Sequence, residues 1–85
     1  MRYSVELSKS AEKFLRKLSK RNYNFVTRTV LSLSDNPYQE GSKKLKGYSS
    51  VFRVRAGNYR ILYEIDGDRL IVAVLDIRDR KNIYE

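Results

Sequence analysis

The stretch Val51-Phe52-Arg53-Val54-Arg55-Ala56-Gly57-Asn58-Tyr59-Arg60-Ile61-Leu62-Tyr63-Glu64-Ile65 reads as a β-hairpin. Val51 to Ala56 alternates with period two, Gly57-Asn58 is a two-residue turn signal, and Tyr59 to Ile65 alternates again. A turn there sets Ala56 against Tyr59, Arg55 against Arg60 and Arg53 against Leu62, and residues directly opposite one another share a face. One face then carries Arg53, Arg55 and Arg60. The other carries Phe52, Val54, Tyr59, Ile61, Tyr63 and Ile65, an apolar set that must be covered.

The cover lies N-terminal. Ala11, Phe14, Leu15 and Leu18 follow helical spacing, with Ser8 or Ser10 as the cap and Lys13, Arg16, Lys17 and Lys20 mainly on the other side. This helix is predicted to end near Ser19. A second begins near Arg21 or Asn22, with Val26, Val30 and Leu33 as its buried stripe and Phe25 and Leu31 at the borders. Asp35-Asn36-Pro37 ends it, since proline disfavours the α conformation in the residue before it. Tyr3 to Leu7 alternates as a short strand with its odd positions facing a core. Residues 38–50, with Gly41 and Gly47, read as a loop with a short turn at Leu45.

Beyond the hairpin, Asp66-Gly67-Asp68 marks a turn, and Leu70 to Ile77 is a continuous apolar run that suits a strand buried on both faces or nearly so. A charged tail, Arg78 to Glu85, follows. The order β-α-α-β-β-β gives an α+β fold: an antiparallel-dominated sheet of about four strands with an N-terminal helical hairpin packed on one face. The 85 residues are expected to form a single domain, 1–85, because a smaller unit would bury too little apolar area.

With 18 Lys and Arg against 10 Asp and Glu, the net charge is +8, which attracts nucleic acid, anionic membrane or an acidic protein. No cysteine or histidine is present, which removes disulfides, thiol nucleophiles, the usual zinc ligands and the commonest neutral-pH base. No stretch approaches the roughly 20 apolar residues that span a bilayer, and no apolar run follows Arg2, so a soluble, cytoplasmic protein without membrane association is expected.

The positive charge is focused. Between Glu40 and Glu64 there is no acid, while Lys43, Lys44, Lys46, Arg53, Arg55 and Arg60 fall there. Arginines on one side of a small sheet can simply keep that face wet. Placing Arg55 directly against Arg60 is nevertheless destabilising, and a bound phosphate would relieve it. As wet-face residues these arginines contribute little to stability, so Arg60→Ala is expected to leave the fold intact.

The "NP" at Asn36-Pro37, "KKLKG" at 43–47, "FRVRAGNYRILYEI" at 52–65, the apolar strand and "RDRKNIY" at 78–84 together resemble the RelE/ParE superfamily of bacterial and archaeal toxins, over nearly the whole chain. The resemblance implies a toxin of a type II toxin–antitoxin system. In its RelE branch the activity is ribosome-dependent cleavage of messenger RNA in the aminoacyl site, without metal or other cofactor. The implied partners are a RelB-like antitoxin that folds on binding, the ribosome and its messenger, and operator DNA through the toxin–antitoxin complex alone. Carried over by position, the catalytic candidates are Arg53, Arg55, Arg60, Arg78 or Arg80, and Tyr84, with Lys43, Lys44, Lys46 and Lys81 as RNA contacts.

Cleavage by the RNA's own 2′-hydroxyl adds negative charge at phosphorus and moves two protons. Guanidinium suits the first task, with a fixed fork of donors and a permanent charge. It suits the second poorly, because neutralising it costs on the order of 7 kcal/mol at neutral pH. Many relatives have histidine where this chain has Asp79, so proton handling falls to Tyr84 first and Asp79 second, with a group of the RNA or ribosome as the alternative. Two rivals stand beside this reading. One is a ParE-like gyrase poison on the same fold; the other is a catalytically weakened module that binds nucleic acid or antitoxin.

Overall fold

The hairpin forms with Gly57 and Asn58 at its tip, in a computed structural model that describes residues 2–47 and 50–79. In chain order the elements are β1 (Ser4–Leu7), α1 (Lys9–Arg16), α2 (Lys20–Asp35), β2 (Lys43–Lys44), β3 (Val51–Ala56), β4 (Tyr59–Asp66) and β5 (Ile71–Asp79). The five strands make one sheet, β1-β5-β4-β3-β2, in which β1 and β5 run parallel and all other neighbours antiparallel.

The sequence-based expectation of about four strands grows by one. The added strand comes from the 38–50 segment expected to be loop: Lys43 and Lys44 pair with Arg53 and Phe52. Two exposed lysines carry no apolar alternation to read, and a short, charged edge strand resists pairing with another chain. Both helices begin at serines. Ser8 Oγ accepts from the Ala11 amide and Ser19 Oγ from that of Asn22, so Ser19 opens α2 rather than closing α1, which already ends at Arg16.

The core lies between the helices and one face of the sheet. Ala11 and Leu15 from α1 and Val26, Val30 and Leu33 from α2 meet Val54, Ala56, Ile61, Tyr63, Ile65, Val72, Val74 and Ile77. Tyr3, Val5, Phe52 and Tyr59 pack at its margin, as strand alternation requires, together with Phe14 and Leu18 at helical spacing. Leu7 departs from that pattern and is exposed where the chain turns into α1. Tyr63 is fully buried, and its hydroxyl donates to the Pro37 carbonyl at 2.7 Å, tying the exit of α2 to the central strand.

The apolar run at 70–77 is buried on one face, not two. Val72, Val74 and Ile77 are buried, while Leu75 is 40% exposed. The cause is a β-bulge: Leu62 pairs with Asp76 but Tyr63 with Val74, so Leu75 is an extra residue in β5. The bulge shifts the inward positions from even to odd numbers. Aliphatic residues on both sides of the shift hide it in the sequence.

Candidate nucleic-acid interface

Strand register assembles the basic residues into two transverse rows. One runs Lys43, Arg53, Leu62, Asp76; the next runs Arg55, Arg60, Arg78. Their basic members lie on the face away from the helices, because their neighbours along the strands, Val54, Ile61 and Ile77, point into the core, while Asp76 reaches Ser10 of α1. The hairpin register is the one expected from sequence, and β5 adds a third arginine to it. Neighbouring strands are roughly 5 Å apart, so the three guanidinium groups of the second row can converge on one anion.

Arg78 joins that row because of the bulge. With uninterrupted alternation after Val72 and Val74, residues 76 and 78 would follow them into the core. The extra residue turns both outward, Asp76 beside Leu62 and Arg78 beside Arg60.

Burial differs sharply along the row. Arg55 and Arg78 are exposed, but Arg60 on the central strand is only 9% exposed. This corrects the expectation of a wet-face residue whose loss would leave the fold untouched: flanked by β3 and β5, Arg60 is packed as well as charged. The impression of an acid-free cluster is also corrected. Glu40 lines a shallow depression of about 390 Å³ with Gln39, Lys43, Arg53 and Arg55, and Asp76 Oδ2 accepts from Arg78 Nε at 2.6 Å.

The remaining candidates divide. Lys43 stands in the first row, Lys44 opposite Phe52 on the other face of the edge strand, and Lys46 is exposed in the following turn. In strand register Asp79 stands opposite Tyr59. That register turns it toward the helix side, where it lines a cleft of about 390 Å³ with Ser10, Lys13, Phe14, Lys17, Asp76, Ile77 and Arg78. Arg80, Lys81 and Tyr84 lie outside the described residues. The sequence reading missed Asp76 and Ser10. The available signal was a single acid inside an otherwise apolar run.

The sequence model of the family described as the ParE toxin of type II toxin-antitoxin system, parDE, matches residues 5–84. The chain belongs to this family, within the RelE/ParE superfamily. Several similar proteins carry RelE names, which supports its place in the RelE branch. It is 31% identical over 88 residues to the putative toxin RelE1 of Methanocaldococcus jannaschii, covering 100% of this chain and 98% of that protein. Among solved structures, the toxin-antitoxin complex RelBE2 of Mycobacterium tuberculosis superposes with a TM-score of 0.83 at 30% identity, over 94% of this chain and 100% of the other. The archaeal RelE-RelB complex of Pyrococcus horikoshii gives 0.81 at 25% identity, over 98% and 100%. The chain is thus a RelE-like toxin of the type II class, and the order of its elements is that of the RelE fold.

Proposed function

We propose that this RelE-like toxin cuts messenger RNA on the ribosome, by attack of a ribose 2′-oxygen on the adjacent phosphorus. The observation that carries the reading is the row Arg55, Arg60, Arg78 across three adjacent strands, with Arg53 one position along. As the 2′-oxygen bonds to phosphorus, the phosphorus–5′-oxygen bond breaks, leaving a 2′,3′-cyclic phosphate and a 5′-hydroxyl. The phosphate oxygens gain charge on the way, and preorganised guanidinium donors stabilise that charge most where water is partly excluded, as around Arg60.

The attacking hydroxyl must lose a proton and the leaving oxygen gain one. Tyr84 is the first candidate for these transfers. Asp79 is the weaker one, since its register sets it on the face opposite the arginine row. Lys43 extends the basic surface beyond Arg53, and Lys44, Lys46, Arg80 and Lys81 add phosphate contacts along the message.

The partner that restrains the toxin is a RelB-like antitoxin. Complexes of RelE-type relatives with their antitoxins and the +8 charge of this chain support that reading. Operator DNA is met through that complex. Expression in a host cell, with the 5′ ends of messengers mapped on translating ribosomes, tests the proposal. Cuts inside codons are expected. Because the matching family model is that of a ParE toxin, the second reading has its own outcome: intact messengers with gyrase-trapped DNA breaks. Arrest with neither would leave a module that acts by binding alone.

A further inference from the structure

Asp76 sits where three constraints meet. Its Oδ1 accepts from Ser10 Oγ on α1 at 3.1 Å and from the Ile77 amide at 2.9 Å, while Oδ2 accepts from Arg78 Nε at 2.6 Å. One residue earlier, the carbonyl of the bulged Leu75 accepts from Ser8 Oγ at 2.7 Å, and the Ser8 amide donates to the Val74 carbonyl at 2.9 Å. The N-cap and first turn of α1 therefore grip the bulge region at three successive residues, Val74, Leu75 and Asp76. The bulge sets Arg78 opposite Arg60, and the Asp76 carboxylate takes its guanidinium by the Nε edge.

We propose that Asp76 is a positioning residue, holding Arg78 by its Nε edge so that its terminal amino groups are presented beside Arg60. This deepens the reading of the face as a site for the scissile phosphate and rests on it. A guanidinium has five N–H donors in a fixed plane, and a carboxylate on Nε occupies one of them while orienting the others. An arginine at the exposed end of a strand otherwise samples many rotamers, and holding it in advance removes that disorder from the transition state. Asp76 also sets one negative charge beside a row of three positive ones, which eases their repulsion without occupying the row.

Asp76→Asn separates the two roles of the carboxylate. Its oxygen can still accept from Ser10 and the Ile77 amide, but its amide nitrogen then faces Arg78 Nε, a donor against a donor. Two measurements decide the matter. In nitrogen-15 spectra of the intact protein, the Arg78 Nε–H is expected to be shifted and slow to exchange with water in the wild type, and to revert to ordinary arginine behaviour in D76N. This readout needs no activity, so it stands if the proposed function fails. With ribosomes programmed by a synthetic messenger, D76N is expected to lower kcat about tenfold with KM and melting temperature little changed, and to have no further effect in an Arg78→Ala background. The inference is overturned if Arg78 Nε–H exchanges equally fast in both proteins, if D76N cuts at the wild-type rate, or if D76N slows the Arg78→Ala protein as much as it slows the wild type. A wild type that leaves the messenger whole counts against the proposed function alone.

Discussion

At the residue scale, Arg55 and Arg60 share a row but not an environment. Arg55→Ala removes an exposed guanidinium and is expected to shift stability by no more than about 0.5 kcal/mol, whereas Arg60→Ala also empties a packed position on the central strand and is expected to cost about 1–3 kcal/mol. Chemical denaturation of both variants checks this, and it makes Arg55→Ala the cleaner probe of phosphate contact. Gly57 is required by its backbone, and a side chain there would also displace the half-exposed Phe25 ring. Its φ is +61°, and a Cβ there would lie 2.8 Å from the Phe25 ring. Gly57→Ala should therefore destabilise by about 1–2 kcal/mol or more in the same assay. Tyr63 carries the alkaline limit: burial pushes its phenol above the ordinary value of 10.0. The unfolded chain then loses this proton first, so stability falls as pH rises past the ordinary tyrosine range. Tyr63→Phe should lose about 1 kcal/mol at neutral pH, with the hydrogen bond to Pro37 gone, yet show a shallower decline in melting temperature at high pH.

At the element scale, the strands with one covered face were the most legible. In β3 and β4 period-two alternation and the Gly57-Asn58 turn fix the register, and Arg55 does stand opposite Arg60. Helix α2 was legible for the same reason, with Val26, Val30 and Leu33 all buried at helical spacing. What escaped reading was structure set by contacts distant in sequence. β2 exists because β3 offers it an edge, and two lysines announce nothing by themselves. The bulge at Leu75 puts Ile77 where unbroken alternation would put Asp76, a shift masked by the aliphatic run that leads into it, and its grip by Ser8 and Ser10 spans more than sixty positions. Ser8 both caps α1 and holds the Leu75 carbonyl. Ser8→Ala should accordingly cost about 1–2 kcal/mol, at the upper end for a cap, measured by thermal or chemical unfolding.

For the whole molecule, the fold gathers dispersed basic residues onto one side of the sheet while the helices cover the other. Lys43, Arg53, Arg55, Arg60 and Arg78 come from four strands and are brought into two rows by register alone. The net charge of +8 made the excess of basic residues legible in the sequence, but only the sheet order shows which of them share a face. If those arginines hold a messenger phosphate and stabilise its developing charge, the chemistry should be visible outside the cell. The most direct measurement presents purified toxin to ribosomes carrying a defined messenger and characterises the cut ends. The account predicts 5′-hydroxyl and 2′,3′-cyclic phosphate ends within the aminoacyl-site codon, formed about a hundredfold more slowly by Arg55→Ala at unchanged stability. A messenger left whole by the wild type, or cut equally fast by Arg55→Ala, would contradict it.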